Sequence, residues 1–274
     1  MMTDRSCHKA ISHKTSLSGV HALTLMSDHA FPRHSHDQFG VGYIVQGAQR
    51  SWSGRGMVEA QAGDLITVNP GEIHDGRSLT EQGRYWHMIY IDPTMLLRQF
   101  ANEGLCASAE WAQPVAHNAV LSRLFLSVYK RLTHPEDSSD GKEEQLLLLI
   151  DHLFAQLGST QRKPVESQFK PDLKLALERL KDAPEAPLSL SELAEQVHLS
   201  RFQLIRAFKC QLGITPFAYL SQLRVNRAKR LISQGLPLSD VSYTAGFSDQ
   251  SHLCRAFRNQ FGITPGRWKK ITSR

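Results

Sequence analysis

Two groups of side chains in this 274-residue sequence have types and spacings suited to chemistry. The first is histidine. His34 and His36 flank Ser35, His74 ends the stretch Asn69-Pro70-Gly71-Glu72-Ile73-His74, and His87 sits in the aromatic run Tyr85 to Tyr90. Imidazoles brought together suit Fe, Mn or Zn; the same rings also line small-molecule pockets as hydrogen-bonding or structural groups. The second group is polar and cationic: Arg201, Phe202, Gln203, Ile205 and Arg206, then Gln250, Ser251, His252, Cys254 and Arg255. Arginine pairs bidentately with guanine and glutamine with adenine, so these residue types fit readout of base edges in a DNA major groove. For any one of them a solvated helix face or a phosphate contact is the plainer alternative.

The second group is positioned by an internal repeat. Arg201 to Pro216 reads RFQLIRAFKCQLGITP and Gln250 to Pro265 reads QSHLCRAFRNQFGITP, with nine of sixteen positions identical at an offset of 49. Leu204, Ala207, Phe208 and Leu212, like Leu253, Ala256, Phe257 and Phe261, fall on one buried helical stripe. Gly213 and Gly262 stop each helix, and Thr215-Pro216 and Thr264-Pro265 start the next. Upstream, Ser189 to Val197 opens with a capping box, Ser189 with Glu192, and Leu238 to Ala245 is its counterpart. A serine, Ser200 or Ser248, is expected to cap each following helix. Each unit is therefore a helix-turn-helix whose second helix lies in the major groove. Pro216 to Ser233 connects the units as a helix of roughly 27 Å at 1.5 Å per residue. Its Leu220, Leu223, Ala228 and Leu231 face inward, and Arg224, Arg227, Lys229 and Arg230 are available for phosphates or acidic partners.

Charge supports the same reading. Residues 171–274 carry a net charge of +8 and residues 1–170 a net of −2; from Arg201 onward the net is +11. A basic half joined to a near-neutral one is the footprint of a polyanion binder. The length suits two domains. The longest apolar run, Leu146 to Ile150, is too short to cross a bilayer. The stretch Met1 to Ala10 has no signal-peptide pattern, and Cys7, Cys106, Cys210 and Cys254 form no CxxC pair. A reducing cytoplasm and no membrane are expected.

The amino-terminal half alternates β-branched and polar residues between Gly and Asn-Pro turns. Strands are expected at His21 to Met26, Phe39 to Gln46, Gln49 to Ser53, Asp64 to Val68 and Arg84 to Ile91, closing as a barrel. Helices are expected at Pro93 to Gly104, His117 to Thr133 and Lys142 to Leu157. The last carries an apolar stripe, Leu146, Leu149, Ile150 and Leu153, that either packs on the barrel or forms a dimer interface. Gly158 to Lys170, GSTQRKPVESQFK, reads as the linker between residues 1–157 and residues 171–274.

The stretch Ala245 to Arg267, AGFSDQSHLCRAFRNQFGITPGR, together with its upstream copy, resembles the DNA-binding domain of the AraC/XylS family of bacterial transcription regulators. The likeness covers residues 171–272 and implies an all-α domain with two helix-turn-helix units, beginning with a helix at Pro171 to Asp182. The family's base-contacting positions fall on Phe202, Ile205 and Arg206, and on Gln250, Ser251, His252 and Arg255. The apolar Phe202 and Ile205 point to thymine methyls or DNA shape. His34-Ser35-His36, the Gly47 turn, Ala62-Gly63-Asp64 and Asn69 to His74 resemble the cupin-like sensor domain of the same family. Catalytic cupins place a glutamate four residues after the second histidine, where this chain has Gly40. The resemblance therefore implies a ligand pocket lined by His34, His36, His74 and His87, with no metal and no cofactor.

The expected fold is α+β in two domains: a cupin-like β-barrel with carboxyl-terminal helices, then the double helix-turn-helix domain. The expected function is a sequence-specific transcription regulator, an activator and not an enzyme. Its partners are double-stranded DNA, a small-molecule effector, RNA polymerase and a second copy in a homodimer. The rival reading is a metal-dependent cupin enzyme with a DNA-tethering tail.

Overall fold

The structure is a computed structural model that describes residues 8–13, 15–100, 110–134, 139–159 and 170–272. It divides into two compact units, Met1–Arg162 and Lys163–Arg274. The centre of the expected linker lies outside the described residues.

The first unit runs β1 (His8–His13), β2 (Val20–Ser27), β3 (Phe31–His34), β4 (Phe39–Gln46), β5 (Ala48–Ser53), β6 (Gly56–Gln61), β7 (Leu65–Val68), β8 (His74–Ser78) and β9 (Arg84–Ile91). Then follow α1 (Pro93–Phe100), β10 (Glu110–Trp111), β11 (Val115–Ala116), α2 (Ala119–Thr133), α3 (Ser139–Leu157) and β12 (Gly158–Ser159). Nine strands and a short β11 bridge make two sheets, β1-β2-β9-β4-β7-β11 and β3-β8-β5-β6, with all pairings antiparallel. The arrangement is cupin-like but not closed, because no described ladder joins the two sheets into one ring. The chain crosses between them at Gly47 (φ 81°), where a Cβ would stand 2.6 Å from the Gly83 carbonyl oxygen.

Alternation along β9 sorts its side chains onto two faces. Ile89 and Ile91 join a core with α2 and α3, while Trp86 meets Phe31 of the other sheet and Tyr90 meets His36. The α3 stripe is consumed inside this unit. Leu146, Leu149, Ile150 and Leu153 are all 0 % exposed and pack with Leu121, Phe125, Val128 and Leu132 of α2 and with the six-stranded sheet. Of its apolar side chains, Leu148 stays exposed.

The second unit contains α4 (Pro171–Asp182), α5 (Leu190–Gln196), α6 (Arg201–Leu212), α7 (Pro216–Ser233), α8 (Leu238–Thr244), α9 (Gln250–Phe261) and α10 (Pro265–Thr272). The Ser189–Glu192 capping box is present, and Gly213 and Gly262 both take the left-handed stop, at φ 73° and 71°. The expected serine cap holds for α6, where Ser200 caps, and fails for α9, where Asp249 accepts from the His252 backbone N–H. The cause is one extra residue. Four residues separate α5 from α6 and five separate α8 from α9. The two turns thus align at an offset of 48 (Leu199 N–H to Ala194 and Phe247 N–H to Ser242 carbonyls), while the helices after them align at 49.

Candidate nucleic-acid interface and effector site

Both repeated helices bury the large residues of the stripe read from the sequence, with Ala207 and Ala256 half-buried. Leu204, Phe208 and Leu212 are buried on α6, as are Leu253, Phe257 and Phe261 on α9. The opposite faces are open to solvent: Arg201, Gln203 and Arg206 are exposed and Ile205 half-buried, and Gln250, Ser251, His252 and Arg255 are all exposed. The backbone of Phe202 is helical; its side chain lies outside the described residues. Two of these side chains have local duties as well. The Gln203 Oε1 accepts from the Ser200 backbone N–H at 2.8 Å, completing a capping box. The His252 Nδ1 lies 3.2 Å from Ser248 Oγ, and its ring meets Phe247 edge-on at 5.1 Å. That leaves Nε2 as the His252 nitrogen for an outside partner.

Both units pack on α7, where Arg227 meets the acidic partner expected of it and Arg230 stays exposed, while Arg224 and Lys229 serve otherwise. Lys229 is 6 % exposed, with its Nζ 5.0 Å from the ring centres of both Phe261 and Trp268. This cation–π contact joins α7 to α9 and α10. Arg224 donates to the carbonyls of Pro184 and Ala186, and Arg227 to the Thr244 carbonyl with Glu185 at 3.5 Å. Of the four, Arg230 is the exposed one. Helical periodicity identified the strut correctly but gave no sign that three of its cations tie down neighbouring elements.

In the first unit the register of β3 and β8 sets His34 opposite His74, and His36 follows β3 directly. Ring centres are 4.4 Å apart for His34–His74, 4.8 Å for His34–His36 and 5.0 Å for His36–His74. One nitrogen from each of the three lies within 4.8 Å of the others. The His34 Nδ1 is 2.7 Å from the Pro32 carbonyl and the His74 Nδ1 is 3.0 Å from the Glu72 carbonyl. A carbonyl only accepts, so in both rings Nδ1 carries the proton and Nε2 the lone pair. Burial pushes His34 down to about 3, helped by the like charge of His74, and burial also lowers His74. Both are neutral at pH 7.

His87 is not part of this group. It lies on the opposite face of β9 from Tyr90, stacked on Tyr129 of α2 at 4.2 Å with its Nδ1 3.3 Å from Thr24 Oγ1. Burial, then the nearby His13, lowers it to about 4. Gly40 faces Met88 and Tyr90, each 3.3 Å from where its Cβ would be, so neighbouring side chains fill the place of the cupin carboxylate.

Sequence reading missed Arg84. It is 2 % exposed, with its guanidinium 4.6 Å from the Trp86 ring and 5.6 Å from Phe31. Nη2 donates to the Gly76 carbonyl, while Nε and Nη1 have no acceptor among the described residues. Burial lowers its pKa to about 10, so it stays charged. The β-strand pattern alone gave no signal for a buried arginine.

The comparisons with known proteins agree with both units. Residues 23–151 match the family described as the AraC-like ligand binding domain, and residues 193–271 match a helix-turn-helix domain. The chain is 30 % identical over 262 residues to the HTH-type transcriptional activator RhaR of Escherichia coli O139:H28, covering 89 % of this chain and 88 % of that one. It is 25 % identical over 245 residues to the arabinose operon regulatory protein of Escherichia coli K12, covering 83 % and 80 %. In fold it is similar to ToxT of Vibrio cholerae in an unsaturated fatty acid-bound crystal structure, with a TM-score of 0.53 and 12 % identity over 99 % of this chain and 97 % of that one. No helix among the described residues is long and apolar enough to cross a membrane. The chain belongs to the AraC family of DNA-binding transcriptional regulators, with an effector-binding domain ahead of two helix-turn-helix units.

Proposed function

We propose that this regulator is a cytoplasmic activator that places α6 and α9 in successive major grooves on one face of a duplex and recruits RNA polymerase from there. The observation that carries the reading is the pair of open polar faces, one on each repeated helix, both anchored to α7 by buried apolar stripes. Arg206, Arg255 and Gln250 read base edges; Arg201, Ser251 and His252 serve phosphates or bases nearby; Phe202 and Ile205 contact thymine methyls. Gln203 keeps its amide N–H groups for DNA after its oxygen closes the cap. The near relation to a protein named as a transcriptional activator supports the sign of regulation.

The effector binds on the face where the four-stranded sheet meets Trp86, Met88 and Tyr90, and by preferring one arrangement of the chain it shifts DNA engagement. Arg84, a buried cation with two guanidinium nitrogens lacking acceptors among the described residues, selects an effector that carries a carboxylate. The unsaturated fatty acid bound to ToxT supports this class. Homodimerisation would give the protein four reading helices. The test is selection of binding sites from random DNA at physiological salt, with sedimentation of the selected complex. Enrichment of one motif, and a complex of two chains, is expected. Recovery of random sequence would overturn base readout.

A further inference from the structure

We propose that the caps of α6 and α9 fix opposite hydrogen-bond polarities on the two reading helices: Gln203 offers DNA only donors and selects guanine or thymine, whereas His252 offers only an acceptor and selects cytosine or adenine. This polarity rests on the base-readout reading above and names the base edge that each helix takes at one equivalent position.

Gln203 and His252 hold the same place in the repeat, the third residue of each helix after its cap, and both are exposed. The amino-terminal residues of a recognition helix are the ones that meet base edges. In α6 the Ser200 backbone N–H donates to Gln203 at 2.8 Å, and because an N–H only donates, the atom it meets is Oε1. The amide NH2 is the group left to face outward. Held this way, Gln203 forgoes the paired contact to adenine N6 and N7, which needs its oxygen. It donates instead to guanine N7 and O6 or to thymine O4.

In α9 the cap is Asp249, and Ser248 beside it sets the polarity the other way. Ser248 Oγ has one proton, which goes to Asp249 Oδ2 at 3.0 Å. Hydrogen bonds from the His252 backbone N–H and then from Ser248 hold that carboxylate below its ordinary range, so it stays an acceptor. With its proton committed, Oγ meets His252 Nδ1, 3.2 Å away, as an acceptor, and in the neutral ring Nδ1 carries the proton. Phe247, edge-on to the ring at 5.1 Å, holds its plane. Nε2 is left with a lone pair. Such a nitrogen accepts from the amino group of cytosine N4 or adenine N6 and is repelled by guanine O6, thymine O4 and phosphate, so His252 takes a base and not the backbone. The difference follows from the extra residue of the second turn, which puts an aspartate at the cap and leaves the serine one place before it.

The test is site selection from random DNA at physiological salt, with the full chain and its variants. Wild type is expected to enrich guanine or thymine under α6 and cytosine or adenine under α9, at the two positions whose preference disappears in Gln203→Ala and His252→Ala. Gln203→Glu keeps the capping box, as Glu192 does with Ser189 in α5, but replaces the donors by a carboxylate. It is expected to change the α6 preference to cytosine, by about tenfold. Ser248→Ala frees Nδ1 and is expected to relax the α9 preference by about tenfold, with Ser248→Thr restoring it. Nitrogen-15 NMR of the free protein at pH 8, where an ordinary imidazole is neutral, reads the tautomer. Nδ1 of His252 is expected to be protonated in wild type and Ser248→Thr, and Nε2 in Ser248→Ala. Circular dichroism checks that each variant is folded. Guanine or thymine under His252, an unchanged preference in folded Gln203→Glu, or a protonated Nε2 in wild type would overturn the proposal and leave base readout standing. Recovery of no motif would overturn both.

Discussion

The two turns of the double helix-turn-helix make opposite demands on the same left-handed backbone position. In the first turn it is taken by His198 (φ 57°), in the second by Gly246 (φ 87°). A Cβ at Gly246 would stand 2.7 Å from Glu185 Cα, 2.8 Å from the Glu185 carbonyl oxygen and 2.9 Å from Arg224 Nε. Two of those atoms are backbone, and the third holds the Pro184 carbonyl. Gly246→Ala therefore costs about 1–2 kcal/mol for a left-handed L-residue and a further 1–3 kcal/mol, roughly, for overpacking. His198→Gly removes the same backbone penalty and loses about 0.5–1 kcal/mol to chain entropy, so its net effect is slightly stabilising. Hydrogen exchange of the full chain reads each turn separately. Amides of α8 and α9 are expected to exchange at least tenfold faster in Gly246→Ala, since about 1.4 kcal/mol is a factor of ten. Those of α5 and α6 are expected to slow or stay level in His198→Gly. Unchanged exchange in Gly246→Ala, or marked acceleration in His198→Gly, would refute the steric argument.

Arg255→Ala should cost about 1–3 kcal/mol at a cognate site and relax preference at one base pair; loss that is uniform across sequences, in a binding assay, would reassign Arg255 to phosphate. Lys229→Met should leave the salt dependence of DNA binding unchanged, because the ammonium sits against Phe261 and Trp268 and not at the surface; a shallower slope would make it a phosphate contact. Arg84→Met should hold or raise the melting temperature while abolishing the response to a carboxylate effector, since a buried cation short of acceptors is costly to keep; a large drop in melting temperature would make Arg84 structural. His34 and His87 have folded pKa values near 3 and 4, below the ordinary 6.5. The unfolded chain then binds more protons in that window, so stability is full above about pH 6.5 and falls as the pH drops toward 4. Thermal melts at pH 7.5 and 5 check this, and equal melting temperatures would contradict it.

How much of this was legible in the sequence depended on how local the signal was. The bounds of β4, β9, α6, α7 and α9 are carried by the residue pattern, caps and Gly stops within or beside each segment, whereas those of α4 came with the family resemblance. The strands β1, β3, β6 and β8 were not legible. Their sequences HKAISH, FPRH, GMVEAQ and HDGRS are short and polar, and a partner strand makes them strands. The same limit applies to the sites. The exposed faces of α6 and α9 follow from helical phase, but the separation of His87 from His34, His36 and His74 depends on which face of β9 each neighbour covers. Likewise, the basic look of α7 concealed three cations whose partners, Pro184, Glu185, Phe261 and Trp268, are distant in sequence.

The central claim is that α6 and α9 together read two neighbouring stretches of major groove on one duplex. A hydroxyl-radical footprint and guanine-methylation interference on the selected site, at physiological salt, test it most directly. Two interference patches are predicted on the same face, about 10 base pairs apart, one lost with Arg206→Ala and the other with Arg255→Ala. A single patch, or a footprint that neither substitution alters locally, would contradict it.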